Sequence, residues 1–217
     1  ILILSEPVPQ ICFAMGILWG SMEKEKEIEI ASYFYSKVLN DKLSENFQPS
    51  TIFAMTFCIP FLEQNTDAQN SLSEILCELI KQPNFIEPVS HALNFLSNRF
   101  SNIFFSNDGI LLQSLLQGMD EILSFQKNGI RIFKSVSVIL MMINDEEKRN
   151  ETFSGLSTSV LEYLNSEENL LTGLNCLTVQ PPESPIFQFV IEKLLSICPA
   201  VFSDEFQNID IINSLFM

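Results

Sequence analysis

The stretch QNSLSEILCELIK, residues 69–81, decides the fold class of this chain. Glu74 and Glu78 lie together on one face of the helix that its spacing predicts. The opposite face is a continuous apolar stripe made of Leu72, Ile75, Leu76, Leu79 and Ile80. Such a pattern predicts an amphipathic helix with one buried and one solvent-facing side. We expect the helix to end before Pro83, because proline cannot continue it.

The same helical periodicity extends along most of the sequence and is broken repeatedly. Helix starts are predicted near residues 7, 27, 49, 68, 85, 108, 129, 145, 166, 184 and 203. Two successive helices therefore make a unit of about 40 residues, which is the period of HEAT and armadillo repeats. We predict an all-α fold for residues 1–217, namely a single HEAT-type α-solenoid of about five antiparallel helix pairs. A compact helix bundle is the alternative.

The composition of the predicted helices alternates along the chain. Mostly apolar helices are expected near residues 7–22, 50–64, 85–100 and 130–143. Their partners carry the acidic residues and are expected near residues 27–39, 69–81, 108–123 and 146–164. A solenoid with two layers of helices produces this alternation.

Four local signals add detail to this pattern. Pro60 is predicted to kink the last turn of its helix, because proline removes a backbone hydrogen bond. Asn107-Asp108-Gly109 is predicted to cap the helix that follows, and Asn128-Gly129 to form a turn. Asp145-Glu146-Glu147 predicts another helix start, because carboxylates are favoured at the positive end of the helix dipole.

The chain is strongly acidic, with 27 acidic and 12 basic residues and a net charge of −15. A surface of this charge repels phosphate backbones, so we expect no direct binding of nucleic acid. It suits a basic protein partner, because complementary charge accelerates encounter and sets specificity. The alternative is that the acidic residues only keep a chain with 47% hydrophobic residues soluble.

Cysteine usage and hydropathy indicate the cellular compartment of the protein. The five cysteines are odd in number, widely spaced and without a CxxC pair, which indicates a reducing compartment rather than disulfides or zinc. No apolar run approaches the roughly 20 residues that cross a bilayer, and the N-terminus lacks the basic flank of a signal peptide. We expect a protein of the cytoplasm and nucleus without membrane insertion. Because the chain begins at Ile1, we expect it to be part of a longer protein.

The sequence contains no motif of a known catalytic or cofactor site. Phosphate-binding loops and the GxSxG nucleophile motif are missing. His91 is the only histidine, and we interpret it as a structural residue because it lies in an apolar helix. Phe100, Phe104 and Phe105 are interpreted as packing between repeats, with a peptide-binding pocket as the alternative. We therefore predict no catalytic residue, no cofactor and no metal ligand, and a protein that is not an enzyme.

Residues 50–123 resemble the middle HEAT repeats of karyopherin-β nuclear transport receptors, especially those of the transportin-SR branch. The resemblance is carried by the stretches SEILCELI (73–80), HALNFLSNR (91–99) and NDGILLQSLL (107–116). The order and spacing of helices are also similar through residues 130–142 and on to Leu164. The patterns are apolar and diffuse and contain no invariant motif.

This resemblance implies a central segment of a nuclear import receptor that carries basic or arginine-rich cargo through the pore under control of the GTPase Ran. It also implies contacts with nucleoporins and with Ran, the latter through parts of the parent protein outside this segment. The second helix of each repeat would line the cargo-facing side. The implied cargo contacts are Glu74, Glu78, Asp120, Glu121, Glu147, Glu151 and Glu162. An export receptor of the same superfamily and a HEAT-repeat scaffold subunit unrelated to transport are the alternatives.

Overall fold

The structure is a computed structural model that describes residues 20–42, 52, 55–164, 169–179 and 185–186. Within these residues, the segments with helical periodicity in the sequence are helices. The α-helices are α1 (Lys24–Lys42), α2 (Ile59–Leu62), α3 (Thr66–Leu79), α4 (Ile86–Arg99), α5 (Ile110–Gln117), α6 (Met119–Ser124), α7 (Lys127–Leu140), α8 (Glu146–Leu164) and α9 (Leu170–Thr178). Short 3-10 helices cover Pro83–Phe85, Ser101–Phe104 and Asn107–Gly109. No described residue lies in a β-strand, so the prediction of an all-α chain is confirmed.

The chain divides into two compact units, Ile1–Ser114 and Leu115–Met217, which are described separately below. The helices predicted near residues 7–22 and 184–197 and after residue 203 fall almost entirely outside the described residues.

The apolar stripe predicted on α3 forms the centre of the first unit. Asn65 caps the helix, because its side-chain oxygen accepts a hydrogen bond of 2.9 Å from the backbone N–H of Ala68. The members of the stripe are buried: Leu72, Ile75, Leu76, Leu79 and Ile80. Complete burial of one such side chain contributes roughly 1.5–3 kcal/mol, so this stripe stabilises the unit more than any surface contact does. Glu74 and Glu78 are exposed on the other face, as predicted.

Aromatic side chains join the other helices of the first unit to α3. The hydroxyl of Tyr35 on α1 donates a buried hydrogen bond of 2.9 Å to the carbonyl of Ala68. The Tyr35 ring also lies 5.3 Å from the ring of Phe61 on α2, measured between centroids. Next to α2, the ring of Phe57 lies 4.3 Å from that of Phe95 on α4. These contacts hold α1, α2 and α4 around one core.

In the second unit, α7 packs against α6, α8 and α9. Its inward residues recur at helical spacing and are fully buried: Ile132, Phe133, Val136, Ile139 and Leu140. Phe153 and Val160 of α8 are fully buried as well, and Cys176 of α9 joins them. Asp145 begins α8 as predicted, since its side chain accepts a 3.1 Å hydrogen bond from the N–H of Lys148 and its carbonyl accepts one from Arg149.

The predicted kink at Pro60 is wrong. The chain leaves helical geometry at Phe57 and Cys58, and Pro60 lies in the first turn of α2 instead of in the last turn of a longer helix. Proline suits a first turn because the backbone N–H that it lacks would have no helical partner there.

Two further boundaries differ from the prediction, and a glycine is responsible for each. The single helix expected over residues 108–123 is two helices, because Gly118 separates α5 from α6 with φ −96° and ψ 11°. The turn expected at Asn128-Gly129 is the first turn of α7, which already begins at Lys127. Gly129 stays helical because it packs directly against the backbone of α6.

Candidate functional site

The seven acidic residues proposed as cargo contacts are all exposed and all lie on helices. Glu74 and Glu78 are on α3 in the first unit. The second unit carries the other five, on α6 and α8: Asp120, Glu121, Glu147, Glu151 and Glu162. A solvated carboxylate retains its charge and can accept hydrogen bonds from the Lys or Arg of a partner. Exposure of these residues is therefore compatible with a binding role for each of them.

In the first unit, Glu74 contacts the turn that precedes α5. The side-chain amide of Asn107 donates a hydrogen bond of 3.2 Å to Oε1 of Glu74. Glu78 follows one turn later on the same exposed side of α3. Lys81 is three residues beyond Glu78, so one cation lies near the two carboxylates. The surface around Glu74 and Glu78 remains negative.

Cys77 lies between these two glutamates and is half-buried. Burial is the main cause that raises the pKa of its thiol, and the charges of Glu74 and Glu78 raise it further. A hydrogen bond with Ser114 and the charge of Lys81 lower the pKa, each by less than burial raises it. The thiol is therefore protonated at neutral pH, and since the thiolate is the nucleophilic form, this cysteine is unsuited to nucleophilic chemistry.

In the second unit, a hydrogen bond brings the end of α8 to the start of α6. The Tyr163 hydroxyl donates to the backbone carbonyl of Asp120 at 2.9 Å. Burial raises the pKa of Tyr163, and the negative charge of Asp120 adds to this effect. The end of α8, which carries Glu162, therefore contacts the start of α6, which carries Asp120 and Glu121.

Glu147 and Glu151 form a separate pair at the other end of α8. Glu162 follows Glu151 by eleven residues, which corresponds to about 16 Å along the helix axis. The three glutamates lie within a sector of about 60° around the helix, so they share one side of α8. Lys148 lies within three residues of both Glu147 and Glu151, which makes this end of α8 less acidic than the region near Asp120.

The remaining sequence signals concern a metal site, His91 and membrane insertion. Within the described ranges, no three His, Cys, Asp or Glu side chains come together in an arrangement that could hold a metal ion. His91, interpreted from the sequence as a structural residue, lies on α4 and is exposed. Among the described helices, none combines the length and the apolar character required to cross a bilayer.

Three phenylalanines with the same predicted role differ in exposure in the structure, namely Phe100, Phe104 and Phe105. Phe100 and Phe104 are buried, whereas Phe105 is 44% exposed. Ile110, which begins α5, is 40% exposed. The adjacent Asn107-Asp108-Gly109 was a signal for this exposure, because three turn-forming residues interrupt the helical periodicity there.

Comparison with known proteins adds no relative: no protein-family model, no curated protein and no solved structure matches this chain.

Proposed function

We propose that this chain is a protein-binding helical segment that binds basic proteins through carboxylates on its exposed helix faces. The observation that carries the proposal is the exposure of all seven predicted carboxylates on helices α3, α6 and α8. Helices hold their side chains at fixed spacing, and a partner with matching Lys or Arg residues can therefore pair with several of them. A net charge of −15 supports this choice of partner, because it attracts basic proteins over long distances.

The acidic faces contribute little to stability, which favours a role in binding. Exposed ion pairs contribute about 0–1 kcal/mol, and like charges one helical turn apart, such as Glu74 and Glu78, repel each other. A basic partner relieves that repulsion. The proposal therefore explains why acidic residues are grouped on α3 and near the contact between α6 and α8.

The finer proposal is that the helices form a HEAT-type solenoid and that the chain is the central segment of a karyopherin-β import receptor. It would carry basic or arginine-rich cargo through the nuclear pore under control of Ran. Support comes from the resemblance of residues 50–123 to that family and from the confirmed all-α character of the chain. The acidic residues of α3 and α8 lie on the helices that would face cargo in such a repeat.

Charge reversal on α3 tests the protein-binding function. We expect Glu74→Lys/Glu78→Lys to weaken binding of a fluorescein-labelled arginine-rich peptide by about tenfold or more, measured by fluorescence anisotropy. The matched control is Glu25→Lys/Glu29→Lys on α1, which reverses two exposed charges at the same spacing outside the predicted surface. Equal loss in both variants would mean that only net charge matters, and no loss in either would refute the proposal.

A second experiment addresses transport. The full parent protein is used to capture nuclear proteins with and without Ran locked in its GTP-bound state. Release of basic cargo by Ran-GTP is the outcome expected of an import receptor, and strengthened capture would indicate an export receptor. A constant partner that ignores Ran would replace the transport proposal with a HEAT-repeat scaffold.

A further inference from the structure

The segment Phe105–Ile110 lies along the exposed side of α3 and is attached to it at both ends. Near one end, the Ser106 hydroxyl donates a hydrogen bond of 2.9 Å to Oε1 of Gln69. At the other end, Sγ of Cys77 lies 3.7 Å from the carbonyl oxygen of Ile110. Between them, Asn107 is hydrogen-bonded to Glu74. The segment and the adjoining face of α3 therefore make one continuous surface.

Two large apolar side chains of this segment are partly exposed to solvent. Phe105 is 44% exposed and Ile110 is 40% exposed, whereas their neighbours Phe104 and Leu111 are fully buried. A single exposed apolar residue is ordinary, but here two occur on either side of one short turn. The turn has positive φ at three consecutive residues, with values of 49°, 56° and 74° at Asn107, Asp108 and Gly109. Phe105 and Ile110 are therefore separated by backbone that is not α-helical.

Carboxylates are exposed on the same segment and on the adjoining face of α3. Glu74 and Glu78 are exposed on the adjoining face of α3, and Asp108 is exposed within the turn itself. Lys81, three residues after Glu78, is exposed as well, so carboxylates outnumber basic groups among these four residues. An apolar partner without positive charge would leave these carboxylates facing an apolar surface, which is unfavourable.

We propose that Phe105, Ile110, Glu74 and Glu78 form a docking surface for a segment of a partner protein in which a large apolar side chain stands next to Lys or Arg. The apolar side chain covers Phe105 and Ile110, and the cation pairs with the carboxylates of α3. Apolar contact provides affinity, and charge complementarity selects the partner. This inference rests on the proposed protein-binding function and adds the chemistry of the partner at one surface.

The test uses a display library of random twelve-residue peptides, selected on the full 217-residue chain. We expect the selected peptides to place Lys or Arg within a few residues of Leu, Ile, Met, Phe or Trp. Phe105→Ala/Ile110→Ala should weaken their binding by about tenfold, as should Glu74→Gln/Glu78→Gln. A benzophenone amino acid in place of Phe105 should crosslink to the bound peptide. The same probe in place of Tyr33, which is 59% exposed on α1, should not.

The outcomes separate this inference from the proposed function. If Phe105→Ala/Ile110→Ala leaves binding unchanged while charge reversal of Glu74 and Glu78 abolishes it, the docking surface is refuted and the acidic binding function stands. If crosslinking is as efficient from position 33 as from position 105, the docking surface is also refuted. If neither the selected peptides nor an arginine-rich peptide depends on Glu74 and Glu78, the proposed function itself fails.

Discussion

Gly129 lies directly against the backbone of Leu123. A Cβ atom at position 129 would be 2.8 Å from the Cα of Leu123 and would overlap the carbonyl oxygen of Ile122. The start of α7 can therefore approach α6 only because residue 129 has no side chain. This contact sets the distance between the two helices.

Gly129→Ala should destabilise the protein, although alanine is the better helix former by about 1 kcal/mol. The new methyl group must displace the backbone of α6, and overpacking of this kind costs about 1–3 kcal/mol. After the gain in helix propensity is subtracted, we expect the free energy of unfolding to fall by up to about 2 kcal/mol. Denaturant unfolding followed by circular dichroism measures it.

Gly155→Ala provides the matched control for this substitution. Gly155 is exposed in the middle of α8, and no atom lies within 4 Å of a Cβ built there. The same exchange should therefore raise the free energy of unfolding by about 0.5–1 kcal/mol. If alanine stabilises the protein at both positions, the close contact between Gly129 and Leu123 does not exist in solution.

Tyr35→Phe should destabilise the first unit. The Tyr35 hydroxyl is buried and donates to the carbonyl of Ala68, and its removal deprives that carbonyl of its side-chain donor. The expected loss is about 1 kcal/mol in the free energy of unfolding. Tyr33→Phe on the same helix is the control, because Tyr33 is largely exposed and should tolerate the change. Equal effects of the two substitutions would argue against the buried hydrogen bond.

The parts of the fold that follow from local periodicity could be predicted from the sequence. The stripe on α3 is an example, because apolar side chains three and four residues apart must share one helix face. The start of α8 at Asp145 is another, since a capping carboxylate acts on amides only three residues away. The exposure of Glu74 and Glu78 follows from the same pattern.

Features that depend on a distant part of the chain could not be predicted. Asn128-Gly129 has the sequence of a turn, but in the structure it lies in the first turn of α7, where Gly129 packs against the backbone of α6. The turn-forming residues Asn107-Asp108-Gly109 indicate that the helical periodicity ends nearby, but not which of the adjacent Phe104 and Phe105 is buried. In the candidate site, the end of α8 contacts the start of α6 through the hydrogen bond of Tyr163, which joins residues 43 positions apart. The binding of a basic partner stays a prediction.

The backbone of Asn107 allows a third prediction. Its φ of 49° is tolerated by asparagine and glycine but disfavours β-branched residues. We expect Asn107→Val to lower the free energy of unfolding by about 1–2 kcal/mol more than Asn107→Gly does. Both variants lose the hydrogen bond to Glu74, so the difference between their free energies of unfolding reports the backbone conformation at residue 107. Thermal or denaturant unfolding of the pair measures it, and equal stabilities would contradict the left-handed conformation.

The buried thiol of Cys176 should make stability depend on pH in the alkaline range. Burial raises the pKa of this thiol from 9.0 to about 12. Above pH 9 the unfolded chain therefore loses this proton while the folded chain keeps it, so the unfolded state binds fewer protons. The contribution of this group to stability is complete below pH 9 and is lost as the pH rises towards 12. Its expected slope is about −1.4 kcal/mol per pH unit.

Comparison of the wild-type chain with Cys176→Ala isolates this group from the tyrosines and lysines that also titrate at high pH. The two free energies of unfolding should differ by a constant amount from pH 6 to 8, where the thiol is protonated in both states. Above pH 9 the wild type should lose stability faster, so the advantage it holds over the variant at neutral pH should shrink and then reverse. Parallel curves through pH 10.5 would mean that water reaches the thiol in the folded protein and that α9 does not bury Cys176.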